Sequence, residues 1–422
     1  MSRLTARAGA ALVLACAGVV TAASASASRA STAATDSFTL SAQPIYAQAE
    51  AAPAPPRKPL MAALDKMGAA KTLDDWNINI GGLVEAGWTY NFDDPAGGIN
   101  VGRVFDFEDQ DPTLDQLMVF VERTVDPSKG KFDVGGRMEW MWGGDARVIH
   151  SNGLFDHYGL ADGPDEQFDL TQLYVDVGIP VGNGLTVRAG KFTTLLGYEL
   201  INPSGNALYS HSYLFGFAIP FTNTGVLGIY PITDKVTVTA GITRGWEQSL
   251  EDNNDSIDFM GQVKWVASDK VTLYFNGITG PEQTDNDSNY RTVLDGIATI
   301  AVSDELSLAV NGDFGWEADA AADGGSALWY GVAGYAGYKI SDYFTLNGRV
   351  EWFNDDDGAR GLGTNVYEAT FGVAIRPMGA DPIGQNLVIR PEVRYDYSDD
   401  DIFDGATQND QWTFGVDALF TF

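Results

Sequence analysis

Residues 411–422 read "QWTFGVDALFTF", and parity divides them. Trp412, Phe414, Val416, Ala418, Phe420 and Phe422 fall on one side, and Gln411, Thr413, Gly415, Asp417 and Thr421 on the other, with Leu419 the exception. Side chains alternate with period two along a strand, so this stretch is a strand with one apolar face. A chain with a net charge of −31 that closes on such a strand turns that face toward something other than water. The same split appears in "WNINIGGLVEAGWTY" (76–90), where Trp76, Ile78, Ile80, Val84, Ala86, Trp88 and Tyr90 oppose Asn77, Asn79, Glu85 and Thr89. It recurs in 131–142, 184–193, 235–246, 256–267, 305–316, 326–340, 343–353, 365–376 and 386–397, and more weakly in 114–125, 168–180, 222–232, 270–279 and 290–302. These are about sixteen segments of the length that a tilted strand needs to cross hydrocarbon.

The connections alternate in length. Brief turns such as "DPSKG" (126–130), "VGNG" (181–184), "TD" (233–234), "SD" (303–304) and "SD" (341–342) follow the even-numbered segments. Long polar loops follow the odd ones, at 91–113, 143–167, 194–221, 247–255, 280–289, 317–325, 354–364 and 398–410. Only "PMGADPIGQN" (377–386) is oversized for the short side. Short turns on one rim and long loops on the other are the pattern of an outer-membrane barrel, with the turns facing the periplasm.

A soluble sandwich also has alternating strands, but two features oppose it. The apolar parity carries Trp88, Trp140, Trp142, Trp246, Trp316, Trp352 and Trp412 toward the long loops, and Trp76, Tyr230, Trp265, Tyr338 and Phe344 toward the short turns, which suits two headgroup layers. The other parity carries Arg137, Glu139, Asp176, Arg188, Asp313, Arg349, Glu351, Glu368, Arg376, Arg390, Glu392, Arg394 and Asp396, charges that a sandwich core would not hold unpaired. An open sheet edge is not tolerated in lipid. The expected fold is therefore all-β, a transmembrane antiparallel up-and-down β-barrel of about 16 strands, wide enough for an aqueous bore.

Composition agrees. With 48 glycines, 12% aromatic residues and a mean hydropathy of −0.10, the chain is too polar for a bundle of membrane helices. Residues 1–28 read as a secretory signal, from Arg3 and Arg7 through "AGAALVLACAGVVTA" to the small residues "ASASAS", with cleavage near Ala25 or Ala27. The single cysteine, Cys16, lies inside it. The mature chain is thus expected to form no disulfides. Residues 29–75 read as an Ala/Pro-rich periplasmic linker with a short helix over 60–71, and residues 76–422 as the barrel.

One block is more distinctive than the strands. "LYVDVGIPVGNGLTVRAG" (173–190) runs into "GKFTTLLGYELINPSGNALYSHSYLFGFAIPFTNTGVLGIY" (190–230), and here the chain resembles the OmpL-like β-barrel porin family over about residues 75–422. The resemblance implies an outer-membrane pore for small hydrophilic solutes. It specifies no solute.

The loop at 194–221 has one acidic residue, Glu199, and no lysine or arginine. A loop so apolar is costly on an outer surface, and long loops carry function. It is expected to fold into the bore as a pore-constriction loop, with Tyr198, Glu199, Asn202, Asn206, Tyr209 and His211 on the passage and Phe215, Phe217 and Phe221 on the wall. The alternative is a cap over the barrel mouth. Arg188, Arg349, Glu351, Arg376, Arg390, Glu392, Arg394 and Asp396 are expected on the pore wall. The late arginines either set a transverse field across the bore or pair with Glu351, Glu368, Glu392 and Asp396 to stiffen it.

The other long loops are acidic, as in "FEDQD", "EDNND", "NDDDG" and "SDDD". Such a rim concentrates cations. The best functional expectation is passive diffusion of small hydrophilic solutes with a preference for cations. The alternatives are a channel selective for a sugar or an anion, with Tyr198, Tyr209 and the arginines as its track, and a structural or adhesive barrel with a blocked bore. "DNDSNYRTVLDG" (285–296) fails as a calcium loop because Tyr290 stands where glycine is needed and Gly296 where glutamate is needed.

The histidines, His150, His157 and His211, show no metal or triad spacing, and only His211 beside Ser210 and Ser212 suggests a hydrolase. No catalytic residue, metal or cofactor is expected. With 57 acidic against 26 basic residues, nucleic acid is disfavoured as a partner. The expected partners are outer-membrane lipids, the barrel-assembly machinery, which reads a terminal aromatic such as Phe422, and two further copies of the chain in a homotrimer.

Overall fold

The computed structural model describes residues 57–95, 97–159, 163–321, 323–379 and 381–422. The signal segment with Cys16, and the linker up to residue 56, lie outside the described residues. Among the described residues, sixteen strands form the sheet: β1 (Ile78–Asn91), β2 (Thr113–Arg123), β3 (Asp133–Gly143), β4 (Gln167–Ile179), β5 (Leu185–Thr193), β6 (Thr222–Thr233), β7 (Val236–Thr243), β8 (Asp258–Ser268), β9 (Val271–Pro281), β10 (Tyr290–Ala301), β11 (Leu306–Glu317), β12 (Ala327–Lys339), β13 (Phe344–Asn354), β14 (Asn365–Ile375), β15 (Leu387–Ser398) and β16 (Asp410–Thr421). Each strand pairs with its sequence neighbours, and β1 pairs antiparallel with β16, closing the barrel. Closure leaves no unpaired edge for lipid to meet. The turns after even strands lie on the periplasmic rim. The loops after odd strands, L1 to L8 in chain order, form the extracellular end, with L3 spanning 194–221.

The parity exceptions mark a docking surface. Leu419 points inward and is buried with Leu83, Met118 and Met141, and with Ile201 and Phe215 of L3. Leu83 is opposite Met118, and Met118 opposite Met141. One apolar row thus crosses β1, β2 and β3 on the inner wall. Burial of such side chains is worth about 1.5–3 kcal/mol each, and here the surface that covers them is a loop.

One aromatic is not where alternation puts it. Trp246, expected in the belt facing lipid, follows the end of β7 and is 4% exposed. Its ring receives the guanidinium groups of Arg291 and Arg360, at 4.7 and 5.0 Å from the centroid. The strand ends three residues earlier, so parity no longer governs which way the ring faces.

Before the barrel, helices α1 (Pro59–Lys66) and α2 (Ala70–Asp75) replace the single helix expected over 60–71. The oversized turn after β14 meets this segment. Asp381 Oδ1 accepts the N–H groups of Ile383 and Gly384 at 2.9 and 2.7 Å. Lys58 Nζ donates to Asn386 Oδ1 and Thr421 Oγ1, each at 3.1 Å. Phe422 continues the β1 ladder through Gly82, its N–H donating at 2.8 Å and its carbonyl accepting at 2.9 Å.

Candidate functional site: the loop inside the barrel

L3 enters the barrel because its residues can leave water at low cost and the wall satisfies its backbone. A buried peptide group without a partner costs a few kcal/mol, so each turn of the loop needs donors and acceptors. Glu351 Oε2 and Oε1 accept the N–H groups of Tyr213 and Leu214, both at 2.7 Å. Glu392 accepts those of Tyr209 and Ser210 at 2.8 and 3.0 Å. Arginines take the carbonyls: Arg390 donates to Pro203 O and Asn206 O at 3.0 and 2.8 Å, and Arg394 donates to His211 O at 2.6 Å. Arg349 donates to Ser210 O and to Glu199 Oε1, both at 2.7 Å. Elsewhere Gln116 Nε2 reaches Ile201 O at 2.7 Å, Asn311 Oδ1 accepts from Tyr198 N at 3.1 Å, and Trp329 Nε1 donates to Ala218 O at 3.1 Å. Thr194 N donates to Phe221 O at 3.0 Å, closing the base of the loop.

The wall charges are also paired among themselves. Arg349 binds Glu368 at 2.7 Å, Arg390 binds Asp417 and Glu85 at 2.6 and 2.8 Å, and Arg394 binds Asp396 at 2.7 Å. Arg188 forms two bonds to Asp176, each 2.9 Å, and lies over the Tyr174 ring at 3.7 Å. Arg349 and Glu368, and Arg394 and Asp396, pair along the wall. Glu351 and Glu392 spend their oxygens on loop N–H groups instead. Arg376 lines a cavity beside Asn347 and Arg390.

Other loops lean on L3. Arg103 of L1 reaches Asp396 at 3.2 Å and Thr413 at 2.5 Å. Phe105 packs against the rings of His211 and Phe215, at 4.9 and 5.7 Å between centroids. Arg360 of L7 donates to Phe217 O at 2.5 Å and lies over the rings of Trp246 and Trp329. Arg103 and Arg360 stand in otherwise acidic loops, and an arginine against the local charge is the sequence signal that marks them. Close approach needs small residues: a Cβ at Gly87 would sit 2.2 Å from the Tyr209 hydroxyl, and one at Gly315 2.0 Å from the Trp329 ring.

The six loop residues are placed differently. Tyr198, Glu199, Tyr209 and His211 are buried. Asn202 and Asn206 are half-buried, Asn202 beside a cavity of about 410 Å³ against β2–β5 and β8–β10 and Asn206 beside one of about 210 Å³ against β9–β16. Burial acts to raise the Glu199 carboxyl, but Arg349, His211 and the Ser212 N–H outweigh it and hold the pKa below its ordinary value. Burial pushes His211 down, with Arg349 adding to the effect and Glu199, Asp106 and the Leu200 carbonyl opposing it. His211 Nε2 meets Asn206 Nδ2 at 3.0 Å and Leu200 O at 3.3 Å. His211 thus sits inside the barrel, away from the lipid-facing rim that a barrel hydrolase would use.

A family model described as "Putative beta-barrel porin-2, OmpL-like" matches residues 77–422, the whole of the sheet and the loop within it. The chain belongs to this family of outer-membrane porins. The family and the fold are those of a channel rather than of an enzyme. Among solved structures, the chain is similar to the anion-selective porin from Comamonas acidovorans, with a TM-score of 0.57 and 10% identity over 82% of this chain and 99% of that one. It is similar to OprB of Pseudomonas putida, with a TM-score of 0.56 and 12% identity over 85% and 97%. The outer membrane channel DcaP of Acinetobacter baumannii gives 0.51 and 12% over 82% and 97%. At these identities the likeness is one of fold. No curated protein sequence matches the chain.

Proposed function

We propose that this porin passes small hydrophilic solutes by passive diffusion, that L3 narrows its bore, and that its extracellular entrance favours cations. The observation that carries the reading is the position of L3, anchored by Arg349, Glu351, Arg390, Glu392 and Arg394 inside a closed barrel. Asn202 borders the larger of its two cavities and Asn206 the smaller, each beside other side chains of L3. The cation preference rests on the rim. The seven long loops other than L3 hold 27 Asp and Glu residues against 4 arginines and no lysine. Such a surplus attracts cations and repels anions over about a Debye length, roughly 8 Å at physiological salt.

Purified protein in planar bilayers under a salt gradient tests this. Stepwise conductance with a cation-favouring reversal potential is expected. Silent membranes would overturn the porin reading and favour a structural barrel, and an anion-favouring potential would overturn the account of the rim. Deleting residues 198–213 is expected to raise single-channel conductance, and unchanged steps would count against L3 as the constriction.

A further inference from the structure

The 410 Å³ cavity lies on the periplasmic side of L3 and is lined on one side by the loop and on the other by β2–β5 and β8–β10. Its loop side offers an apolar patch, Leu195, Leu200, Phe215 and Phe221, beside Thr194, Glu199 and Asn202. Its charges are already matched: on the wall Glu122 and Glu139 with Arg137 and Arg188 with Asp176, and on the loop Glu199 with Arg349. Lys264 breaks this rule. It projects inward from β8, two residues below the cavity-lining Gln262 and opposite the cavity-lining Tyr274. Its ammonium is 5.7 Å from the centroid of the Tyr274 ring. The residue is 9% exposed, and among the described residues no carboxylate lies within salt-bridge distance of it.

An ammonium whose neighbour is an aromatic face rather than a carboxylate is open to an anion, and a carboxylate that reached it from the cavity would gain a charge-assisted hydrogen bond in a medium less polar than water. The neighbouring loop surface offers apolar side chains to the rest of such a solute. We propose that Lys264, Tyr274 and the adjoining face of L3 form a binding site for a small carboxylate with an apolar body. This deepens the porin reading by naming a solute class that the channel retains. The acidic rim does not cancel the site, because rim charges are screened within about a Debye length whereas Lys264 lies behind L3.

Binding is read apart from conduction, so that the two readings fail separately. Benzoate is titrated into the full chain in detergent by calorimetry, beside acetate as charge without apolar body and benzylamine as apolar body with opposite charge. Benzoate is expected to bind more tightly than either. Lys264→Gln is expected to weaken benzoate by about tenfold or more, the scale of one charge-assisted bond, and Lys264→Arg to restore most of it. Equal affinity of wild type and Lys264→Gln, or benzylamine binding as well as benzoate, would overturn the proposal. If Lys264→Gln does not fold, judged by β-sheet circular dichroism, Tyr274→Phe and Leu200→Ala are titrated instead, and unchanged affinity in both overturns it. In bilayers, millimolar benzoate should block wild-type current and spare Lys264→Gln; conduction without block would remove the proposal and leave the porin.

Discussion

The inner wall has two sectors built on opposite rules. From β13 to β16, Arg349, Arg390 and Arg394 and the carboxylates around them are buried and bonded both to one another and to the backbone of L3. From β2 to β9, ion pairs such as Arg137 with Glu122 and Arg188 with Asp176 close on themselves and leave a cavity against the same loop. A charged wall can therefore serve as glue or as lining. The difference is whether it meets unsatisfied backbone: at β13–β16 the loop presents bare N–H and carbonyl groups, and at β2–β9 mostly apolar side chains and water-facing polar ones.

The sharpest way to break the contrast is Arg349→Ala. It removes the donor to Ser210 O and the arginine that Glu199 and Glu368 share, leaving Glu199 with the Ser212 N–H and Glu368 with Thr370 and Arg394 at 3.6 Å. Removing one member of a buried pair costs about 3–5 kcal/mol. The expected outcomes are a much lower thermal transition in detergent and larger, noisier conductance steps as L3 loosens. Arg188→Ala, in the other sector, should leave the loop seated.

Arg360→Ala tests a clamp reaching L3 from above. It forfeits a hydrogen bond to Phe217 O and two cation–π contacts, together about 1–2 kcal/mol. Faster proteolysis between residues 214 and 221 is the expected readout, and rates matching wild type would mean that the clamp carries nothing.

The smallest effect is that of pH. Burial holds the pKa of His211 below its ordinary value, near 6.5, so the unfolded imidazole binds a proton before the folded one does. Its contribution is fully present above about 6.5 and is lost as pH falls toward the folded value, by less than about 1 kcal/mol between pH 7 and 6. Glu199, also depressed, adds stability above its ordinary value near 4.5 that is lost as pH falls through its folded value. Melting profiles should thus weaken with acid in two steps, and His211→Gln should flatten only the first. A profile unchanged by that substitution would remove His211 from the account.

The barrel was legible because its signal is local. Period-two alternation in 76–90 and 411–422 is dictated by strand geometry, and the alternation of short turns with long loops is dictated by topology. The apolar character of 194–221 pointed to a loop inside the bore. The arginines on β13 to β15 were recognised as inward, but which would face water and which would hold a loop was not written in their parity. Leu419 shows why. It read as an error in alternation, and it is a contact whose partners, Leu83 on β1, Met141 on β3 and Ile201 in the loop, are far apart in sequence.

The sequence by itself determined the strands, their inward and outward faces, the acidic outer rim and the exceptional loop, because each depends on residues a few positions apart. Only the tertiary structure decided that Glu351 and Glu392 bind loop backbone rather than arginine, that Trp246 turns inward, and that Lys264 has no carboxylate at salt-bridge distance among the described residues. Pairing of buried charge depends on distances across the closed barrel, and those exist only once β1 has met β16.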